Sequence, residues 1–161
     1  MTAPTASASL VSVGPAYVVF SLSADAHVDV RAWDAHAQRF FATRLELVGD
    51  ADAVEIRLAV TPPGGGAEGE RCIAWRARRE EDLAAADAAE RRAGGGGLAG
   101  LARRCPTVWL VERAGEDDPL ALRLAAIMAS VHLGPVLDAR GPELFGVKTA
   151  RAKLERQTMR S

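Results

Sequence analysis

Phe41-Ala42-Thr43-Arg44-Leu45-Glu46-Leu47-Val48, then Gly49-Asp50-Ala51-Asp52, then Val54-Glu55-Ile56-Arg57-Leu58-Ala59-Val60 is the stretch that decides the fold. Phe41, Thr43, Leu45 and Leu47 alternate with Ala42, Arg44 and Glu46. Val54, Ile56, Leu58 and Val60 alternate with Glu55, Arg57 and Ala59. Period-two alternation on both sides of a Gly/Asp turn predicts a half-buried antiparallel hairpin. Asp50 and Asp52 are explained by turn chemistry; a calcium loop needs more oxygen ligands than two carboxylates. One face of the hairpin is apolar and requires a covering layer of helices.

Upstream, Tyr17-Val18-Val19-Phe20-Ser21-Leu22 is β-branched and aromatic, and predicts a strand. A second strand is expected near His27 to Trp33, where Val28 and Val30 alternate with Asp29 and Arg31. Residues 34–38 fit either a turn or a short helix. Residues 1–13 lack the basic segment of a secretory signal and are expected to form a flexible leader.

Downstream, Pro62 to Gly66 ends the hairpin, and Cys72-Ile73-Ala74-Trp75 suggests another strand. From Arg79 the period changes. Glu80, Glu81 and Asp82 suit a helix N-terminus, where the backbone dipole favours negative charge. The helix expected over 83–92 is rich in alanine. Gly94 to Gly97 breaks it, and a mobile stretch is expected near 93–100. Leu98 to Arg104 resumes a short helix before Pro106. Thr107-Val108-Trp109-Leu110-Val111 is continuously apolar, as a central strand buried on both faces should be. Asp118-Pro119 reads as an N-cap followed by the first helical position. The helix it opens runs to Leu133, carries Arg123 as its only formal charge, and is therefore buried or sits in an interface. Short strands are expected at 136–138 and 144–147. Residues 148–161 form a basic C-terminal helix or tail. Strands first, then helix–strand–helix–strand, is an α+β pattern: an antiparallel sheet covered on one face by helices, in one domain over 14–147.

Composition narrows the function. The chain has 161 residues, a net charge of -1 and 25% charged residues. Its 48% hydrophobic content includes 32 alanines, so the core-building stock is ordinary. Such a chain is globular, carries no run long enough for a membrane helix, and lacks the basic excess of a nucleic-acid binder. The 18 Arg against 2 Lys suggest a GC-rich, bacterial source. Two cysteines, Cys72 and Cys105, do not make a disulfide framework and point to a reducing cytoplasm.

No motif carries chemistry by itself. Gly95-Gly96-Gly97-Leu98-Ala99-Gly100 satisfies G-x-G-x-x-G, but it follows a polar helix rather than a strand, which suits a linker and not a dinucleotide site. Glu112 ends an apolar strand as a magnesium-holding acid would, yet no phosphate-binding glycine-lysine loop precedes it. His27, His36 and His132 lack metal-ligand spacing, and no metal or cofactor is expected.

The leading expectation is a non-catalytic protein–protein interaction or assembly module of a bacterial complex. Helix 119–133 and the basic segment with Lys148, Arg151, Lys153 and Arg156 would dock a protein partner or a second copy, and Trp109 would anchor it if exposed. The alternative is a small-molecule-binding regulatory domain, with a pocket between the sheet and helix 119–133. Its polar contacts would be His132 and Arg123, with Glu112 and Asp138 nearby. A further alternative is an enzyme using His132 with Glu112 or Asp138.

Overall fold

The structure is a computed structural model and describes residues 16–25, 28–49, 55–115 and 117–160. The expected leader, His27 and the Asp50–Asp52 turn lie outside the described residues. Seven strands form one antiparallel sheet: β1 (Tyr17–Ser21), β2 (Arg44–Val48), β3 (Glu55–Thr61), β4 (Gly69–Ala77), β5 (Thr107–Val111), β6 (Val136–Asp138) and β7 (Glu143–Phe145). Their spatial order is β2-β3-β4-β5-β1-β6-β7. Five helices accompany them: α1 (Val30–Phe41), α2 (Glu80–Arg92), α3 (Leu98–Arg103), α4 (Pro119–His132) and α5 (Val147–Arg160). The α+β class, the hairpin and the central place of β5 are as the sequence predicts.

The segment expected as a second strand is helical from Val30. Asp29 accepts a hydrogen bond from the Ala32 amide at 3.1 Å and caps α1. Trp33, Ala37 and Phe41 then recur every four residues and face the core. Phe41 thus ends α1 rather than opening the hairpin, and β2 begins at Arg44. Two β-branched residues suggested a strand locally; the burial of one helical stripe decides the outcome.

The main core lies between one sheet face and α1, α4 and α5. Leu45, Leu58, Ile73, Trp109, Val111 and Val136 meet Trp33, Leu124, Ile127, Met128 and Leu154 there. Beyond the covering layer that the sequence called for, the opposite face is clothed at its centre. Val18, Phe20, Val108 and Leu137 pack against Ala86, Ala89 and Ala102 of α2 and α3. Over the hairpin that face stays solvated, with Arg44, Glu46 and Arg57 exposed.

Strand β4 fastens both layers. Arg71 points to the main core side and grips Asp118, the N-cap of α4, through two hydrogen bonds of 2.9 Å. Arg76 points to the other side and grips Asp82 in the first turn of α2 at 2.6 and 2.8 Å. Burial opposes the charge on both aspartates, yet these arginines and adjacent backbone amides hold the carboxyls below the ordinary range. At the β2 edge of the sheet, Asp34 of α1 accepts the Leu45 amide of β2 at 2.8 Å and is itself held by Gln38 at 2.7 Å.

Gly134 follows α4 where the chain passes β1. A Cβ there would fall onto the Phe20 carbonyl, which is backbone and cannot move aside. Gly134→Ala should therefore cost more than about 3 kcal/mol in urea denaturation, the upper end of overpacking effects. Asp118→Ala should cost about 3–5 kcal/mol in the same assay, since it leaves Arg71 without its partner and α4 without its cap.

Candidate functional site

The four residues expected to bind a ligand do not converge. Arg123 leaves the middle of α4 and donates to Thr43 Oγ1 at 3.2 Å and the Phe41 carbonyl at 3.4 Å, tying α4 to the α1–β2 corner. Glu112 accepts the Cys72 amide at 2.9 Å and prolongs the β4–β5 ladder. Asp138 sits beside Tyr17 at one end of β1. The His132 carbonyl accepts the Leu22 amide just past the other end. Strand geometry puts those ends about 16 Å apart.

His132 belongs to an aromatic cluster. Its ring stacks on Trp109 at 5.8 Å and meets Trp33 edge-on at 5.8 Å, while the two indoles form a T at 5.5 Å. Its Nε2 is buried without a hydrogen-bond partner among the described residues. Burial lowers its pKa to about 4, so the ring is neutral at physiological pH. Among the described residues no carboxylate is hydrogen-bonded to it, as a catalytic base requires. Trp109 is 1% exposed and offers no anchor at the surface. The faces of α4 toward the sheet are filled by side chains such as Leu124, Ile127 and Met128, each 0% exposed, where the expected pocket would have lain.

Two clefts flank this core. The first, of about 300 Å³, is apolar and lies between α3, the end of α4 and the start of α5, lined by Leu98, Leu101, Leu133, Pro135 and Val147. Leu133 is 64% exposed and takes a left-handed conformation, φ 61°. Glycine usually occupies that position after a helix, because a side chain costs about 1–2 kcal/mol there. In this chain the glycine stands one residue later, where Phe20 leaves no room for a side chain. Ser130 on the cleft wall bonds His36 Nε2 at 2.7 Å, and the His36 ring lies 4.7 Å from that of Phe40, which is 45% exposed. Burial, helped by Arg151 and Arg39, lowers the His36 pKa. Ser130 and His36 have the spacing of nucleophile and base, but Ser130 lies inside a helix whose amides are bonded along its axis. Among the described residues no oxyanion donor faces it, and His36 donates no hydrogen bond to a carboxylate that would orient it.

The second cleft, of about 250 Å³, is polar. Tyr17, Arg113, Asp138, Phe145, Lys153 and Arg156 line it, at the end of β1 between the sheet and α5. Arg113 donates to Asp138 at 2.6 Å and lies over the Tyr17 ring at 4.2 Å. Lys153 donates to Glu143 at 2.8 Å. Burial, with the Asp138 carboxylate adding, pushes the Tyr17 phenol up to about 12 against the pull of Arg113, so it remains a neutral donor.

The basic segment forms helix α5 and packs on the fold through Ala150 and Leu154. Its cations go to different places: Arg151 covers the Phe41 ring at 4.1 Å, Lys153 and Arg156 reach the polar cleft, and Lys148 is exposed. Sequence reading missed Tyr17, Arg113, Phe40 and the His36–Ser130 pair as site residues. Arg113 had a signal: continuing the alternation of Trp109 and Val111 places it on the core face. Among the described residues, no three of His, Cys, Asp and Glu come together as a metal site, and no helix is long and apolar enough to cross a membrane. Gly94 to Gly97 turn the chain between α2 and α3 and open onto solvent. The two cysteines are separate buried thiols. No protein-family model, no curated protein and no solved structure matches the chain.

The buried imidazole has a consequence in acid. Unfolded, His132 binds its proton near pH 6.5; folded, only near pH 4. The unfolded state holds more protons between those values, so acid favours unfolding there. Stability should fall by up to about 1.4 kcal/mol per pH unit below 6.5, and His132→Phe should flatten that slope in denaturant titrations.

Proposed function

We propose that the protein is a non-catalytic assembly module of a bacterial complex, working in the cytoplasm, and that it associates with a second copy of itself through the surface formed by α1, α3 and the end of α4. One observation carries this reading: an apolar hole and exposed apolar knobs lie side by side on one surface. The cleft walled by Leu98, Leu101 and Pro135 takes one bulky apolar side chain. Leu133 rises from the rim of the cleft, and Phe40 is joined to its wall through the His36–Ser130 contact.

A two-fold interface requires a patch that complements itself, and a knob next to a hole meets that requirement. Leu133 adds weight. It bears backbone strain and exposes an apolar side chain, neither of which helps the isolated chain. Burial against a partner would return roughly 1.5–3 kcal/mol per such side chain. The two free cysteines suit the cytoplasm, where thiols stay reduced.

Sedimentation equilibrium of the full chain should give a dimer at micromolar concentration. Phe40→Asp and Leu133→Gly should each weaken association by about tenfold or more, the loss expected for a buried anchor. Leu133→Gly relieves the left-handed strain, so its thermal stability as a monomer should be unchanged or higher. A monomer at all accessible concentrations, or a dimer indifferent to both substitutions, overturns the reading.

A further inference from the structure

We infer that, given the self-association proposed above, on which this rests, the proton on His36 switches it, so that acid returns the dimer to monomers. His36 stands between the knob and the hole. Its Nε2 lies 2.7 Å from Ser130 Oγ on the cleft wall, and its ring lies 4.7 Å from that of the exposed Phe40. A second copy that covers both must also cover this imidazole, which is half-buried in the single chain.

The surroundings favour the uncharged ring. Among the described residues, the charges acting on it are Arg39 of its own helix and Arg151 of α5, both positive, while α4 offers the uncharged Ser130. Both guanidiniums are fixed over aromatic rings, Arg39 over Phe40 at 5.1 Å and Arg151 over Phe41 at 4.1 Å. Arg123 of α4, a further cation, donates to the Phe41 carbonyl and Thr43. Of the carboxylates on these helices, Asp34 is held by the Leu45 amide and Gln38, and Glu155 is exposed to solvent. An imidazolium here adds another positive charge to a cationic group. Water screens that charge in the single chain, whereas an apolar contact does not. The neutral ring bonds Ser130 in either tautomer, so losing the proton costs no contact.

The dimer therefore binds fewer protons than two separate chains, and acid favours separation. Burial and the two guanidiniums already hold the free ring below its ordinary 6.5, and association lowers it further. Association is at full strength above that value and weakens as the pH falls through the titration of the free ring. A two-fold interface holds two such rings, each worth up to about tenfold in affinity per pH unit.

Sedimentation equilibrium of the full chain at about pH 7.5 and about pH 5.5, at constant ionic strength, tests this. Acid should weaken the wild-type dimer by about tenfold or more. His36→Gln keeps a polar group toward Ser130 but does not titrate, and should associate equally at both values. His132→Phe, which removes an acid sensitivity of folding, should leave that of association intact. In proton NMR, the His36 ring should titrate at a lower pH in concentrated than in dilute protein. A dimer that Phe40→Asp breaks but pH does not move overturns the switch and leaves the self-association standing. So does a His36→Gln dimer that still dissociates in acid, or a pH dependence that disappears in His132→Phe. A wild-type chain that is monomeric at both values overturns the self-association itself, and the switch with it.

Discussion

Two arginines on one strand hold the layers of this protein together. Arg71 and Arg76 lie five residues apart on β4 and so project from opposite faces of the sheet. Each meets an aspartate at the start of a helix, Asp118 of α4 and Asp82 of α2. Removing such charges from water is expensive, and their mutual attraction roughly offsets that cost when the geometry is bidentate. Their effect is therefore on arrangement more than on total stability. A slip of β4 by one residue would turn both arginines to the wrong face and leave two buried carboxylates without cations. The pairs thus fix which residues of β4 face which helices, and with them the register of β4 against β3 and β5.

Much of this was legible in the sequence where one local pattern had one physical outcome. Asp118-Pro119 could only open a helix, and Thr107 to Val111 could only be a strand covered on both sides. The turn of the chain at 94–97 needed glycines with positive φ, and four stood there. Reading failed where two patterns competed. Val28 and Val30 spoke for a strand, while Trp33, Ala37 and Phe41 carried a helical stripe that tertiary burial favoured. The second covering layer was hard to see because α2 and α3 contribute mostly alanine to it; a methyl group against the sheet leaves little periodic contrast. The candidate sites were less legible still. Tyr17, Arg113 and Lys153 are far apart in the chain, and only the β1–β5 and β1–β6 pairings bring their neighbourhoods together.

The two clefts that flank the core differ in their chemistry. One end of β1 carries buried charge and a neutral phenol. Past the other end lie apolar side chains exposed to water, beside a histidine that burial keeps uncharged. The aromatic cluster of Trp33, Trp109 and His132 lies under the apolar end and makes it stiff, since each ring fixes the orientation of the other two. A rigid surface loses little conformational entropy on association, which favours docking there over docking on a loop.

Asp34 governs what the sheet can do at its open side. Strand β2 is an edge strand of the sheet, and an open edge is the usual starting point for strand addition between chains. With the Leu45 amide already held by a carboxylate, an incoming strand would have to displace that bond and would meet a negative charge. Uncontrolled fibrous growth through this edge is thereby discouraged.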